Sequence, residues 1–280
     1  MTGSAIPCVL VCVASTLMAA ASVLEVVRPI VSQSDGGTSL PPGFAHVPGE
    51  VLFLTFQVSG FQKDSNDKVR IGYTVDALDS RGVKAMETVS NEVTAELAPQ
   101  DKEWMPKVRM EVPLPPLAHS GTYKLVVNAR DLVAKTSAEK TINVEVRGHK
   151  VQESETLTVR NFRYFRGEDD QEALARPVYR AGDPVWARFD ITGYKFGKNN
   201  AIDFVYGIAV IAGSGKTLWS QPEAAVERSE SFYPKRYVPG AMSITLQNNI
   251  RPGDYIIAVQ VKDAVGGQTF EGKYTFSVEP

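Results

Sequence analysis

Laid on itself at an offset of 133, the sequence meets its own pattern again. Leu24 and Val26 fall on Leu157 and Val159, Gly49 on Gly182, Gly60-Phe61 on Gly193-Tyr194, and Gly82 on Gly215. Phe53, Phe56 and Val58 fall on Trp186, Phe189 and Ile191, and Ile71, Tyr73, Val75 and Ala77 fall on Phe204, Tyr206, Ile208 and Val210. Lys102, Trp104 and Pro106 fall on Lys235, Tyr237 and Pro239. One residue is then lost from the second copy. At an offset of 132, Gly121, Tyr123 and Asp131 meet Gly253, Tyr255 and Asp263. Matches at glycines, aromatics and alternating apolar positions in one register point to two copies of one folding unit. The copies span 22–148 and 154–280. The short polar segment Gly148–Glu153 between them predicts two domains set end to end with limited freedom.

The matched positions follow period two, as in strands buried on one face. The first copy predicts strands at 23–28, 50–58, 69–78, 83–88, 108–114, 122–131 and 138–147. The second predicts them at 156–164, 184–192, 202–211, 216–219, 240–247, 254–263 and 270–279. Gly, Pro, Asn and Asp clusters separate them. Only Glu92–Ala98 and Gln171–Ala175 offer a helical turn. Seven short strands in roughly 125 residues predict an antiparallel β-sandwich for each copy. Each copy ends on Gly-x-Tyr, alternation and Asp: Gly121 to Asp131 and Gly253 to Asp263. This ending resembles the final hairpin of immunoglobulin-like domains, including bacterial surface Ig-like, PKD-like and cadherin-like modules. The resemblance implies that Tyr123 and Tyr255 are tyrosine corners, with the ring in the core and the hydroxyl bonded to backbone. The Cys–Trp–Cys signature of antibody-type domains is absent.

The uncharged stretch from Ala5 to Leu24 has an apolar centre, Val9 to Met18, and ends near Ala19-Ala20-Ala21. It reads as a secretory signal peptide, residues 1–21, cut after Ala21. No Lys or Arg precedes it, and its length leaves an uncleaved membrane anchor as the alternative. Both cysteines, Cys8 and Cys12, lie inside it, so the mature chain would hold no disulfide, thiolate nucleophile or Cys-based metal site. The expected fold class is therefore all-β: two tandem antiparallel Ig-like β-sandwiches after a signal peptide. The net charge of −2 offers no basic excess for nucleic acid.

One stretch imitates a nucleotide site. Ile208 to Ser220 runs through a glycine-rich turn to Gly215-Lys216-Thr217. A phosphate-binding loop needs a glycine at Val210 and a helix after the lysine, where Pro222 stands instead. The first copy keeps Gly82 without the Lys-Thr pair, so a strand–turn–strand hairpin is expected and no nucleotide. His46, His119 and His149 lie in different loops and read as ordinary surface histidines. No Gly-x-Ser-x-Gly setting supports a serine nucleophile. Oxygen-rich stretches at Lys63–Asp67, Asp131, Gly167–Glu172 and Asp263 are compatible with calcium, yet no EF-hand pattern is present and Asp at a strand end is common turn chemistry. No cofactor is expected.

The aromatic loop Glu230–Gly240 carries Phe232, Tyr233 and Tyr237 beside Lys235 and Arg236, with Trp219 near in sequence. Aromatics beside cations stack on sugars or anchor protein partners. The Lys-x-aromatic-x-Pro motif recurs at Lys102–Pro106, which favours a loop packed on its own sandwich. Phe232 and Tyr233 lack aromatic counterparts and are the better candidates for contact. The functional expectation is an exported, non-enzymatic binding or structural protein of the cell envelope or extracellular space that presents loops and strand edges to a protein or glycan partner, strand edges also being open to strand addition. A carbohydrate-binding accessory module or hydrolase is the alternative.

Overall fold

The computed structural model describes residues 23–280, so the expected signal peptide with Cys8 and Cys12 lies outside the described residues. Among the described residues the chain is all-β, with one 3-10 turn at Lys198–Asn200 and no α-helix. The N-terminal half contains β1 (Glu25–Ser32), β2 (Ala45–His46), β3 (Val51–Ser59), β4 (Lys68–Leu78), β5 (Val89–Glu96), β6 (Lys107–Pro113), β7 (Gly121–Asp131) and β8 (Ser137–Val146). The C-terminal half contains β9 (Thr158–Phe165), β10 (Val178–Arg180), β11 (Pro184–Thr192), β12 (Ile202–Ala212), β13 (Thr217–Ser229), β14 (Tyr237–Thr245), β15 (Gly253–Asp263) and β16 (Gln268–Glu279).

Each half builds a three-stranded and a five-stranded sheet. The orders are β1-β3-β6 with β2-β8-β7-β4-β5, and β9-β11-β14 with β10-β16-β15-β12-β13. Pairing is antiparallel except for β2 with β8 and β10 with β16. The repeat is retained in three dimensions. Adding 133 to the bounds of β1 and β3 gives those of β9 and β11, and adding 132 to β7 gives β15. The inward side chains of the two sheets in each half share one core. Leu52, Leu54 and Phe56 meet Ile71, Val75, Leu125 and Val127 in the first; Val185, Phe189 and Ile191 meet Phe204, Ile257, Val259 and Phe276 in the second. Each such aliphatic or aromatic side chain contributes about 1.5–3 kcal/mol of transfer free energy.

Four sequence expectations need correction. Residues 83–88 form only a bridge, Leu78 to Lys84, and the strand that follows is β5. The possible helical turn at Glu92–Ala98 is mostly β5: Val89, Val93 and Ala95 pack inward and alternate with polar residues, and β4 supplies hydrogen-bond partners that local helical propensity cannot match. Gln171–Ala175 is irregular. The strand expected at 216–219 runs on as β13 through Pro222, which sits at a register break beside Gly207. A side chain at Gly207 would strike the Pro222 backbone, so this close approach requires glycine.

The nucleotide-like stretch is the β12–β13 hairpin. Gly215 N–H donates to Ala212 O and Ala212 N–H to Lys216 O, as Gly82 and Asp79 do in the first half with Asp79 O and Val83 O. Gly82 and Gly215 have φ of 81° and 85°, the left-handed region that favours glycine. Tyr255 donates to Arg251 O at 2.6 Å, four residues upstream, and Tyr123 has a backbone hydrogen bond with His119, also four upstream.

The Asp that ends each Tyr-bearing strand is fully used. Asp131 is buried; its Oδ2 accepts Gln62 N–H at 2.7 Å and its Oδ1 accepts Val133 and Ala134 N–H. Asp263 repeats the arrangement with Lys195, Val265 and Gly266 N–H. One carboxylate thus ties its own turn to the loop after β3 or β11, satisfying three backbone donors. Asp131→Ala or Asp263→Ala strands those donors, and a loss of about 2–4 kcal/mol is expected in urea unfolding. A loss below about 0.5 kcal/mol would show that water replaces the carboxylate at no cost.

Candidate functional site

The expected contact residues separate into two sets. Trp219 is 43% exposed and Phe232 50% exposed, whereas Tyr233 and Tyr237 are buried. Lys235 is half-buried, with Nζ 3.1 Å from Glu227 Oε1 and 2.9 Å from Ser229 Oγ. Arg236 is also half-buried, and its backbone carbonyl accepts the Thr192 hydroxyl at 2.9 Å. Lys235 O accepts the Tyr194 hydroxyl. The base of the loop therefore packs on its own half. Trp104 in the first half behaves similarly, meeting Phe61 edge to face at 5.8 Å.

Tyr233 does something sequence reasoning missed. It leaves the C-terminal half and is buried within the N-terminal core cluster. Its hydroxyl donates to Asp79 Oδ2 at 2.9 Å and lies 3.4 Å from the Tyr123 hydroxyl. Burial, reinforced by Tyr123 and Asp79, pushes the Tyr233 pKa up, so the hydroxyl keeps its proton and remains a donor. Asp79 Oδ1 accepts Arg81 and Val83 N–H, so the β4–β5 turn is shaped by the same carboxylate that receives Tyr233.

A ring of charge surrounds this contact. Glu153, in the linker, receives Arg81 through two hydrogen bonds of 2.6 and 2.8 Å. Arg236 Nη1 lies 3.9 Å from Glu153 Oε2, and His119 Nε2 lies 3.5 Å from Oε1. Further along, the buried Asp190 accepts Asn161 Nδ2 at 2.7 Å and is paired with His149 Nε2 at 2.8 Å. The Tyr237 ring stands between His119 and His149, at centroid distances of 6.4 and 5.5 Å. Two of the three expected surface histidines thus belong to the junction, and His46 is buried beside Glu50, 3.0 Å away. A signal for this junction existed in the repeat: Tyr233, Asp79 and Arg81 align with Gln100, Ala212 and Ser214. The copies differ where they meet each other.

Phe232 stays beside Tyr233 at the junction, whereas Trp219 lies elsewhere. Leu218, 48% exposed, and Trp219 open β13 and border a groove of about 400 Å³ with Val210, Ile244, Leu246 and Ile250. The groove runs between the edges of the two sheets, β13 and β14. The oxygen-rich stretches do other work: Asp64 Oδ1 accepts Asn66 and Lys68 N–H, and Asp170 Oδ2 accepts Arg166 and Gly167 N–H. Among the described residues, no group of three or more His, Cys, Asp or Glu is placed to hold a metal ion.

No protein-family model matches the chain, and no curated protein matches it. Solved structures overlap it loosely. The C-terminal domain of the Streptococcus pyogenes antigen I/II-family protein AspA gives a TM-score of 0.32 at 11% identity, covering 91% of this chain and 99% of that one. The C-terminal domain of the Streptococcus agalactiae antigen I/II polypeptide BspA gives 0.29 at 11% identity, covering 90% and 100%. A family 123 glycoside hydrolase from Clostridium perfringens gives 0.31 at 13% identity, covering 44% and 27%. Superpositions this loose assign neither a fold family nor a function.

Tyr233→Phe removes the donor to a buried carboxylate. The expected cost is about 1.5–3 kcal/mol, carried by unfolding of the N-terminal half although the residue belongs to the C-terminal one. An unchanged urea midpoint for that half would contradict the contact. The junction also carries a pH dependence. Burial, helped by Arg81 and Arg236, holds His119 below its ordinary value of 6.5 despite Glu153 and Asp79. Burial pushes Glu153 upward, but hydrogen bonding to Arg81 and the charges of Arg81, His119 and Arg236 outweigh it and hold the pKa below 4.5. Both depressed values give stability that is present at neutral pH and lost on acidification, from 6.5 downward for His119 and from 4.5 downward for Glu153. His119→Gln is expected to flatten the upper limb of a stability–pH curve; an unaltered slope there would remove His119 from the account.

Proposed function

We propose that the chain is an exported, non-enzymatic binding or structural protein made of two tandem Ig-like β-sandwiches, 22–148 and 154–280, acting at the cell envelope or outside the cell. The observation that carries this reading is the apolar pair Leu218 and Trp219, exposed beside a groove of mixed lining, Val210, Ile244, Leu246 and Ile250 with Ser243, Thr245 and Gln247, on a body whose two halves are held together. Adjacent exposed apolar residues at the mouth of a groove are a contact surface, whereas scattered ones need no explanation. The buried carboxylates support a structural role: Asp79, Asp131, Asp190 and Asp263 each hold a turn, a loop or the linker through the bonds described above. Loop and groove presentation fits better than strand addition. Pro222 removes one N–H from the outer strand β13, and Glu223, Glu227 and Arg228 charge it.

A carbohydrate-binding module is the second reading, because an exposed Trp beside a shallow groove also stacks on sugars. A pull-down from envelope extract run beside a glycan array separates the two. Protein capture that weakens in Trp219→Ala or Phe232→Ala, without a glycan signal, is the expected result. Saturable glycan binding lost in Trp219→Ala would transfer the assignment to the second reading.

A further inference from the structure

The groove at Leu218 and Trp219 has a counterpart in the first half, and there it is covered. The same hydrogen bonds build both. Leu114 N–H donates to Glu50 O and Ala118 N–H to Pro115 O; Leu246 N–H donates to Asp183 O and Ile250 N–H to Gln247 O. The repeat therefore aligns Ala85 with Leu218, Met86 with Trp219 and Leu114 with Leu246. In the first half, Ala85, Met86 and Leu114 form one wall of a cleft of about 470 Å³, and Ser231, Phe232, Tyr233 and Lys235 of the C-terminal half form the other. Ala85 and Met86 are 6% and 7% exposed, against 48% and 43% for Leu218 and Trp219. One site thus occurs twice, with an aromatic loop seated on the first copy and the second copy open.

We propose that the Leu218–Trp219–Leu246 groove is a docking site for a loop of another protein that presents a phenylalanine, seated as the Tyr233 loop is seated on the first half. This rests on the binding reading above and names the chemistry of its partner. The commitment to phenylalanine comes from the groove's neighbours. Tyr233 needs Asp79 to accept its hydroxyl proton, and the aligned residue is Ala212, which offers no side-chain acceptor. The Tyr255 hydroxyl already donates to Arg251 O. A tyrosine ring at the equivalent depth would lose the charged acceptor that Asp79 gives Tyr233 and keep only neutral ones such as the Tyr255 hydroxyl oxygen, whereas phenylalanine needs no acceptor. The groove walls Val210, Leu246 and Ile250 supply apolar contact for the ring.

The probe is a cyclised peptide of residues 229–237 of this chain carrying Tyr233→Phe, titrated into the isotope-labelled full chain. Chemical-shift changes centred on Leu218, Trp219, Leu246 and Ile250, with a Kd below about 1 mM, are expected. Affinity should fall about tenfold or more in Trp219→Ala and in Leu218→Lys, both exposed positions that leave the core intact. The unsubstituted peptide, with Tyr233, should bind more weakly. No saturable change, equal binding to the variants, or preference for the tyrosine peptide overturns the proposal. Concentration-dependent self-association of the chain that Trp219→Ala abolishes would make a second copy the occupant and overturn it too. If the peptide fails while envelope proteins are still captured through Trp219, only this inference falls; glycan binding at Trp219 would remove both.

Discussion

The hydrogen bond from Tyr233 to Asp79 fixes how the two halves of this protein sit. A phenolic hydroxyl held protonated by burial donates to a carboxylate that is itself buried and shaped by two backbone N–H groups. Separating the halves would return the carboxylate and the ring to water, but it would also break the Arg81–Glu153 fork and free the linker. The two contacts are linked through Asp79, whose Oδ2 takes Tyr233 while its Oδ1 holds the turn that carries Arg81. The six-residue polar linker is thereby held to both halves, through Glu153 to Arg81 and through His149 to Asp190.

Buried carboxylates recur throughout as the way this chain shapes irregular backbone. Asp131 and Asp263 each gather three loop N–H groups, Asp79 gathers two and a phenol, and Asp190 takes an amide and a histidine from the linker side. A chain whose described residues contain no cysteine has no covalent staple for its loops. A carboxylate able to accept several bonds at once is a compact substitute, because each bond to a charged acceptor is stronger than a neutral one.

The two copies keep the same frame and differ where one meets the other. Gln100 and Tyr233 occupy equivalent positions, as do Asp79 and Ala212, Arg81 and Ser214, and Met86 and Trp219. Three of these pairs place interface chemistry in only one copy. The last leaves a small core-facing patch in the first half and a large exposed one in the second. Loss of polar chemistry or gain of exposed apolar bulk between the copies therefore marks contact surfaces, whereas the core keeps apolar character, as in Ile71 and Phe204, and the turns keep Gly82 and Gly215.

Much was determined by the sequence alone. Period-two alternation and the 133-residue offset were enough for an all-β chain in two equivalent halves, for the hairpin at Gly215, and for core positions such as Val75, Ala77, Ile208 and Val210, because burial of one strand face is a local rule. Tertiary structure decided the rest. Local pattern could not tell that Glu92–Ala98 would join a sheet, since β4 provides the partners. Nor could it tell Tyr233 from Phe232: the two are adjacent and similar in chemistry, yet one is buried in the other half and one faces solvent. That difference depends on which surface the neighbouring half brings to the loop, and no spacing within the loop encodes it.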